Sequence, residues 1–175
     1  MHFLIAPVLL ASLLIAATPR SAWALKVGDV VKSVKVKDAS DNPAWIPDIG
    51  KKVITLFYTD PDVKDLNEPF RDRLKAAKLD LSRYRGVGVV NMDDTWKPNF
   101  AIRSVVRGKI KKFKALILTD PDHLLKRAWR LADCNEKDVV IIIGKDAKVR
   151  YLAYGAMSVA EQKRGLELVK KLMQE

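Results

Sequence analysis

Val139-Val140-Ile141-Ile142-Ile143 puts five β-branched apolar residues in a row, a run that reads as a strand covered on both faces. Such a strand needs a packing layer on each side, so it constrains the rest of the chain. Three more apolar runs can lie beside it: Val53 to Tyr58, Gly86 to Met92 and Ala115 to Leu118. Helical spacing fills the gaps. Leu66, Phe70, Leu74 and Ala77 recur on one face, as do Phe100, Ile102, Val105, Val106, Ile110 and Phe113, with a break predicted at Gly108. Leu124 to Leu131 predicts a short helix. Gly144-Lys145-Asp146-Ala147 then turns the chain, and Lys148 to Ala153 returns as a hairpin partner. Ser158 and Glu161 form a capping box ahead of Leu166, Val169, Leu172 and Met173. At the other end, Lys26 to Asp38 alternates at Val30, Val34 and Val36 and predicts a strand. Ala39 to Lys52, holding Pro43, Trp45, Pro47 and Gly50, predicts a long connection.

The resulting order, β-β-α-β-α-β-α-β-β-α, is that of an α/β protein whose mixed sheet carries helices on both faces. It matches a redoxin-type, thioredoxin-like fold. ILTDPDHLLKRAW resembles the DPD-x-x-x-x-x-A-[YW] segment of redoxins, and VVIIIGKDAKVRYLAYG resembles their closing hairpin. In that fold the turn after Val53 to Tyr58 would carry C-x-x-C or a peroxidatic cysteine. Here Asp62-Val63-Lys64-Asp65 falls in its place, and carboxylates cannot exchange disulfides. A cis-proline would fall at Lys137 or Asp138, and neither is proline. A cis bond without proline costs about 2.5 to 4 kcal/mol, so a trans connection is expected.

A narrower set of segments, VVNMDD (Val89 to Asp94), IRSVVRGKIKK (Ile102 to Lys112), Ala128-Trp129, GKDAKVRY (Gly144 to Tyr151) and GAMSVAE (Gly155 to Glu161), resembles the YtfJ family. That resemblance implies a small exported bacterial protein with a thioredoxin-like fold lacking the cysteine pair. It supplies no catalytic residues.

The apolar block Phe3 to Ala17, followed by Ala22-Trp23-Ala24, reads as a signal peptide over residues 1–24, cleaved after Ala24. The block is shorter than the 18 or more apolar residues of a spanning helix. The mature domain, residues 25–175, would be periplasmic, with no membrane span once the signal is removed. Of the 32 lysines and arginines only Arg20 leaves with the signal, so 31 remain against 21 acidic residues. An excess of that sign favours an anionic envelope component or an envelope protein as partner, and export disfavours nucleic acid. The single cysteine, Cys134, excludes an internal disulfide, and its acidic neighbours Asp133 and Glu136 disfavour a reactive thiolate. It remains the candidate thiol for a single-cysteine redox protein.

If the strands ending at Tyr58, Met92 and Leu118 run parallel, one sheet edge gathers Asp60, Asp62, Asp93, Asp94, Asp120 and Asp122. Six carboxylates in one crevice would repel unless neutralised, which makes the edge a candidate divalent-cation or ligand site. Asp60-x-Asp62 with Thr119 superficially resembles the paired aspartates and strand-end threonine of haloacid-dehalogenase phosphatases. Against that, Asp93-Asp94 precedes Thr119 instead of following it, and Pro61 is unusual between the aspartates. The competing explanation is capping: in Thr-Asp-Pro-Asp, at Thr59 to Asp62 and Thr119 to Asp122, Asp is an N-cap and Pro sits at N1. Arg107 to Lys114 is expected as a solvated helix face, His123 as a lone residue in a first helical turn, and Trp45, Trp96 and Trp129 as packing. The reading these features favour is a non-catalytic binding or accessory module with its redox motif lost. The alternatives are a carboxylate-metal phosphohydrolase at the acidic edge and a single-thiol redox protein.

Overall fold

The computed structural model describes residues 24–175, so the predicted signal segment, apart from Ala24, lies outside the described residues. The elements are β1 (Lys35–Lys37), β2 (Pro43–Trp45), β3 (Val53–Thr59), a 3-10 helix (Pro61–Val63), α1 (Glu68–Ala76), β4 (Tyr84–Asn91), α2 (Asn99–Phe113), β5 (Ile117–Asp120), α3 (Leu124–Ala128), β6 (Asp138–Ile143), β7 (Val149–Tyr154) and α4 (Val159–Gln174). They build one mixed sheet in the order β2-β1-β5-β4-β3-β6-β7. β3, β4 and β5 run parallel, and β6 lies antiparallel to β3, with Thr59 opposite Asp138.

Every residue of β3 and β6 is buried, as continuous apolar runs require. Alternation splits their side chains between two layers. Ile54, Leu56, Tyr58, Val139, Ile141 and Ile143 pack with Leu125 and Trp129 of the α3 segment. Val53, Phe57, Val140 and Ile142 pack with Phe70 and Leu74 of α1 and with Val169 and Leu172 of α4. α2 covers the sheet beside β4 and β5 through Ile102 and Val106, which meet Met92, Val90 and Ile117. A Cβ on Gly165 would lie 2.9 Å from Phe70 Cζ, so glycine there lets α4 approach α1 closely.

Three expectations are corrected. Lys26 to Lys32 forms no strand; Gly28 and Val31 bond to the chain around β7, and Val30 makes one isolated bridge to Lys148. The long connection contains β2, which pairs along β1 from Lys35↔Trp45 to Lys37↔Pro43. α2 continues unbroken through Gly108, because nothing crowds that exposed position and the buried stripe on either side holds the helix to the sheet. The peptide bonds among the described residues are all trans, the Lys137-Asp138 junction included. The capping box at Ser158 and Glu161 forms as read from the sequence.

Candidate functional site

The C-terminal ends of β3, β4 and β5 do meet on one edge, but the six aspartates there do not share a crevice. Asp60 is fully buried. Its Oδ1 accepts from the Asp62 N–H at 2.8 Å and caps the 3-10 helix, with Pro61 at N1. Its Oδ2 accepts from the Glu136 N–H, also at 2.8 Å, and its own N–H donates to the Lys137 carbonyl at 3.0 Å. Asp60 thus ties the turn after β3 to the loop before β6, the two segments that would carry C-x-x-C and the cis-proline. Asp120, equally buried, accepts from the N–H groups of Leu124 and Leu125 at 2.7 and 3.0 Å, and from the Tyr58 hydroxyl at 3.1 Å. Burial, reinforced by that carboxylate, holds the Tyr58 phenol far above its ordinary range. Asp120 caps across a turn: Pro121 and Asp122 precede α3 and do not open it, and His123 is left-handed at φ 51°.

Asp62 is held by Lys97 and by Thr95 Oγ1, whose hydrogen bonds keep its carboxyl below the usual carboxylate range. Asp93 and Asp94 flank His123, with Asp93 Oδ2 3.0 Å from Nδ1 and Asp94 Oδ1 3.1 Å from Nε2. Asn91 donates to Asp94 at 2.6 Å, and Lys126 reaches it at 3.0 Å. Burial pushes the Asp94 carboxyl up, but those hydrogen bonds and the neighbouring His123 carry it below its ordinary value. His123 is therefore not alone; its partners lie some thirty residues away, at the end of β4. Asp122 is exposed. Thr119 turns its hydroxyl to the Asp38 carbonyl at 3.1 Å, on the β1 side. Among the described residues, no three His, Cys, Asp or Glu side chains converge as a metal cage. A cavity of about 380 Å³ lies elsewhere, between the end of α2 and β5, lined by Arg107, Lys111 and Ile117.

Directly behind the turn lies a buried network that the sequence reading did not single out. Asp138 is fully buried and accepts from Thr59 Oγ1 at 2.6 Å, Asn67 Nδ2 at 3.1 Å and Arg71 at 2.8 Å. The guanidinium lies 4.2 Å from the centre of the Phe57 ring. Asn67 also donates to the Gly155 carbonyl and accepts from the Met157 N–H, locking α1 to the approach of α4. The chain fills the space behind an absent thiol pair with a paired charge.

Cys134 lies in the polar connector between α3 and β6, but its own side chain is fully buried and its thiol donates to the Ala132 carbonyl at 3.1 Å. Burial pushes the thiol up to about 11, with Asp94 and Asp133 adding to the effect. The tryptophans divide. Trp129 packs, donating Nε1–H to the Lys32 carbonyl, whereas Trp45 and Trp96 are exposed. Trp45 lies on the edge strand β2 and Trp96 in the loop between β4 and α2, at the periphery of the sheet. Among the described residues, no helix is long and apolar enough to cross a membrane.

A family model described as "Bacterial protein of unknown function (YtfJ_HI0045)" matches residues 48–172. "Uncharacterized protein YtfJ" of Escherichia coli (strain K12) is 26% identical over 128 residues, covering 71% of this chain and 68% of the relative. Two solved structures have similar folds. A putative thiol:disulfide interchange protein DsbE from Chlorobium tepidum superposes at a TM-score of 0.61, with 13% identity over 86% of this chain and 99% of that one. A putative protein disulfide isomerase from Bacteroides thetaiotaomicron gives 0.62, with 16% identity over 87% and 96%. At those identities the likeness shows a thioredoxin-like fold and carries no activity.

Proposed function

The chain belongs to the YtfJ_HI0045 family of bacterial proteins, and we propose that it serves as a non-redox binding or accessory protein of the periplasm. The observation that carries this reading is Asp60. Two residues before the position where the fold's chemistry would sit, a buried carboxylate spends both oxygens on backbone N–H groups and ties the turn to the facing loop. The one cysteine supports it, since burial pushes the Cys134 thiol up to about 11 and so holds it in the un-nucleophilic thiol form at neutral pH. A nucleophilic or metal-binding Asp60 would first have to release a cap, so the hydrolase alternative gains no geometric support here.

The test uses residues 25–175, which contain every described element and all three core clusters. Turbidimetric reduction of insulin by dithiothreitol should proceed at the uncatalysed rate, and Ellman's reagent should reach Cys134 only in denaturant. A rate above background that disappears in Cys134→Ala would overturn the reading. Fractionation and envelope cross-linking test the compartment and the partner. Retention in the cytoplasm, or failure to recover any cross-linked product, would count against them.

A further inference from the structure

Exposed aromatic and aliphatic side chains are concentrated on α2 and the loop before it. Trp96 is 85% exposed, Phe100 75%, Val105 54% and Phe113 43%, all on α2 or the loop that leads into it. The segment before α1 is tied to them through Asp62 and Asp65, which pair with Lys97 and with Lys109 of α2. α2 buries Ile102 and Val106. At 100° per residue, the direction opposite that pair falls at Ser104 and Lys111, with Phe100 and Gly108 about 40° to either side and Lys112 and Val105 farther round the helix. The helix carries no Asp or Glu anywhere in its fifteen residues, against five lysines and arginines, and Lys114 follows it.

Free charge on this face is lysine. Arg103 is engaged with Asp41, and Arg107 donates to the Ala39 carbonyl, whereas neither Lys111 nor Lys114 has an ion pair among the described residues. Lysines act as hydrated point charges that attract a diffuse anionic surface without demanding a matched geometry. Trp96 and Phe100 stand nearly free of their own protein. A rigid partner would need a pocket cut for each ring, but the headgroup region of a bilayer accepts them as they are, and aromatic rings favour that depth.

We propose that this face, α2 with the Trp96 loop, docks the protein reversibly on an anionic phospholipid bilayer, Trp96 and Phe100 entering the headgroup layer and the α2 lysines facing lipid phosphates. The proposal names the surface that the accessory reading leaves open and takes its setting from that reading's placement in the envelope. The two fail separately, because binding to vesicles is independent of disulfide chemistry.

Co-sedimentation of residues 25–175 with vesicles rich in phosphatidylglycerol, against vesicles of phosphatidylcholine alone, reads it directly. Binding is expected to the anionic vesicles and to collapse in high salt. Each lysine near such a surface is worth about fivefold in partitioning, so Lys111→Glu with Lys112→Glu should weaken binding well over tenfold. Trp96→Ser with Phe100→Ser should weaken it by a similar factor while leaving the melting temperature in place, since both rings are exposed. Absence of sedimentation with the anionic vesicles overturns the proposal, including the case in which an acidic protein binds this face instead. So does binding that falls on charge reversal but ignores the loss of both rings, because the face would then be only a basic surface.

Discussion

Replacing Asp60 with alanine removes two hydrogen bonds from backbone N–H groups to a charged acceptor, each 2.8 Å long and each ending on a fully buried carboxylate. Bonds to an ionised partner are worth about 1.5 to 3 kcal/mol each, and the Asp62 and Glu136 N–H groups would be left without acceptors. Some of the loss is recovered because a carboxylate no longer has to be desolvated, so Asp60→Ala should cost about 3 to 5 kcal/mol. In a domain of this size that lowers the melting temperature by roughly 10 °C. Asp60→Asn keeps one acceptor but turns an N–H toward another N–H, and should fall between the two. Urea unfolding followed by tryptophan fluorescence gives the difference as a change in midpoint at constant slope. A loss under about 1 kcal/mol would refute the reasoning. A gain would refute it more informatively, because residues kept for chemistry often stabilise the fold when removed.

Arg71→Met should cost about 3 kcal/mol by leaving Asp138 buried beside Thr59 and Asn67 alone, and the double variant with Asp138→Asn should be less damaged than the two losses added together, as a thermodynamic cycle would show. The raised Cys134 thiol favours the fold while protonated; its contribution is complete below the ordinary value of 9.0 and is lost as pH rises toward about 11. Wild-type unfolding free energy should therefore fall over that window, and Cys134→Ala should flatten the fall. The lowered Asp94 carboxyl works in the opposite direction, stabilising above its ordinary 3.8 and losing that contribution as pH drops below it. Asp94→Asn should accordingly be less stable than wild type at pH 7 and converge with it in strong acid, by denaturant titration at each pH.

Elements whose signal is local were legible in the sequence. The continuous runs of β3 and β6, the spaced apolar residues of α1 and α4 and the Ser158-Glu161 box each carry their structure within a few residues. The cap at Asp60 was legible for the same reason, whereas at Asp120 the expected N-cap with proline at N1 is replaced by a carboxylate reaching over the turn to Leu124 and Leu125, with His123 at the helix start. What escaped depends on contacts between distant segments. β2 is three residues, one of them proline, and is a strand only because β1 pairs with it. Asp138 and Thr59 are directly opposite in the β3–β6 register yet 79 positions apart, and Arg71 reaches them from the next helix. His123 looked isolated because Asp93 and Asp94 approach it from the end of another strand.

The bond between Asp60 and Glu136 also sets how many changes separate this chain from disulfide chemistry. Exchange chemistry needs an incoming disulfide to reach an attacking thiolate, and here the turn is closed onto the loop that such a partner would have to pass. Cysteines at Asp62 and Asp65 would restore the spacing, abolish the contacts to Lys97, Thr95 and Lys109, and leave that closure in place. Opening it requires Asp60 to change as well, a step that sacrifices about 3 to 5 kcal/mol before any thiol can repay it. Single substitutions, each of which must leave a folded protein, therefore do not carry this chain to exchange chemistry.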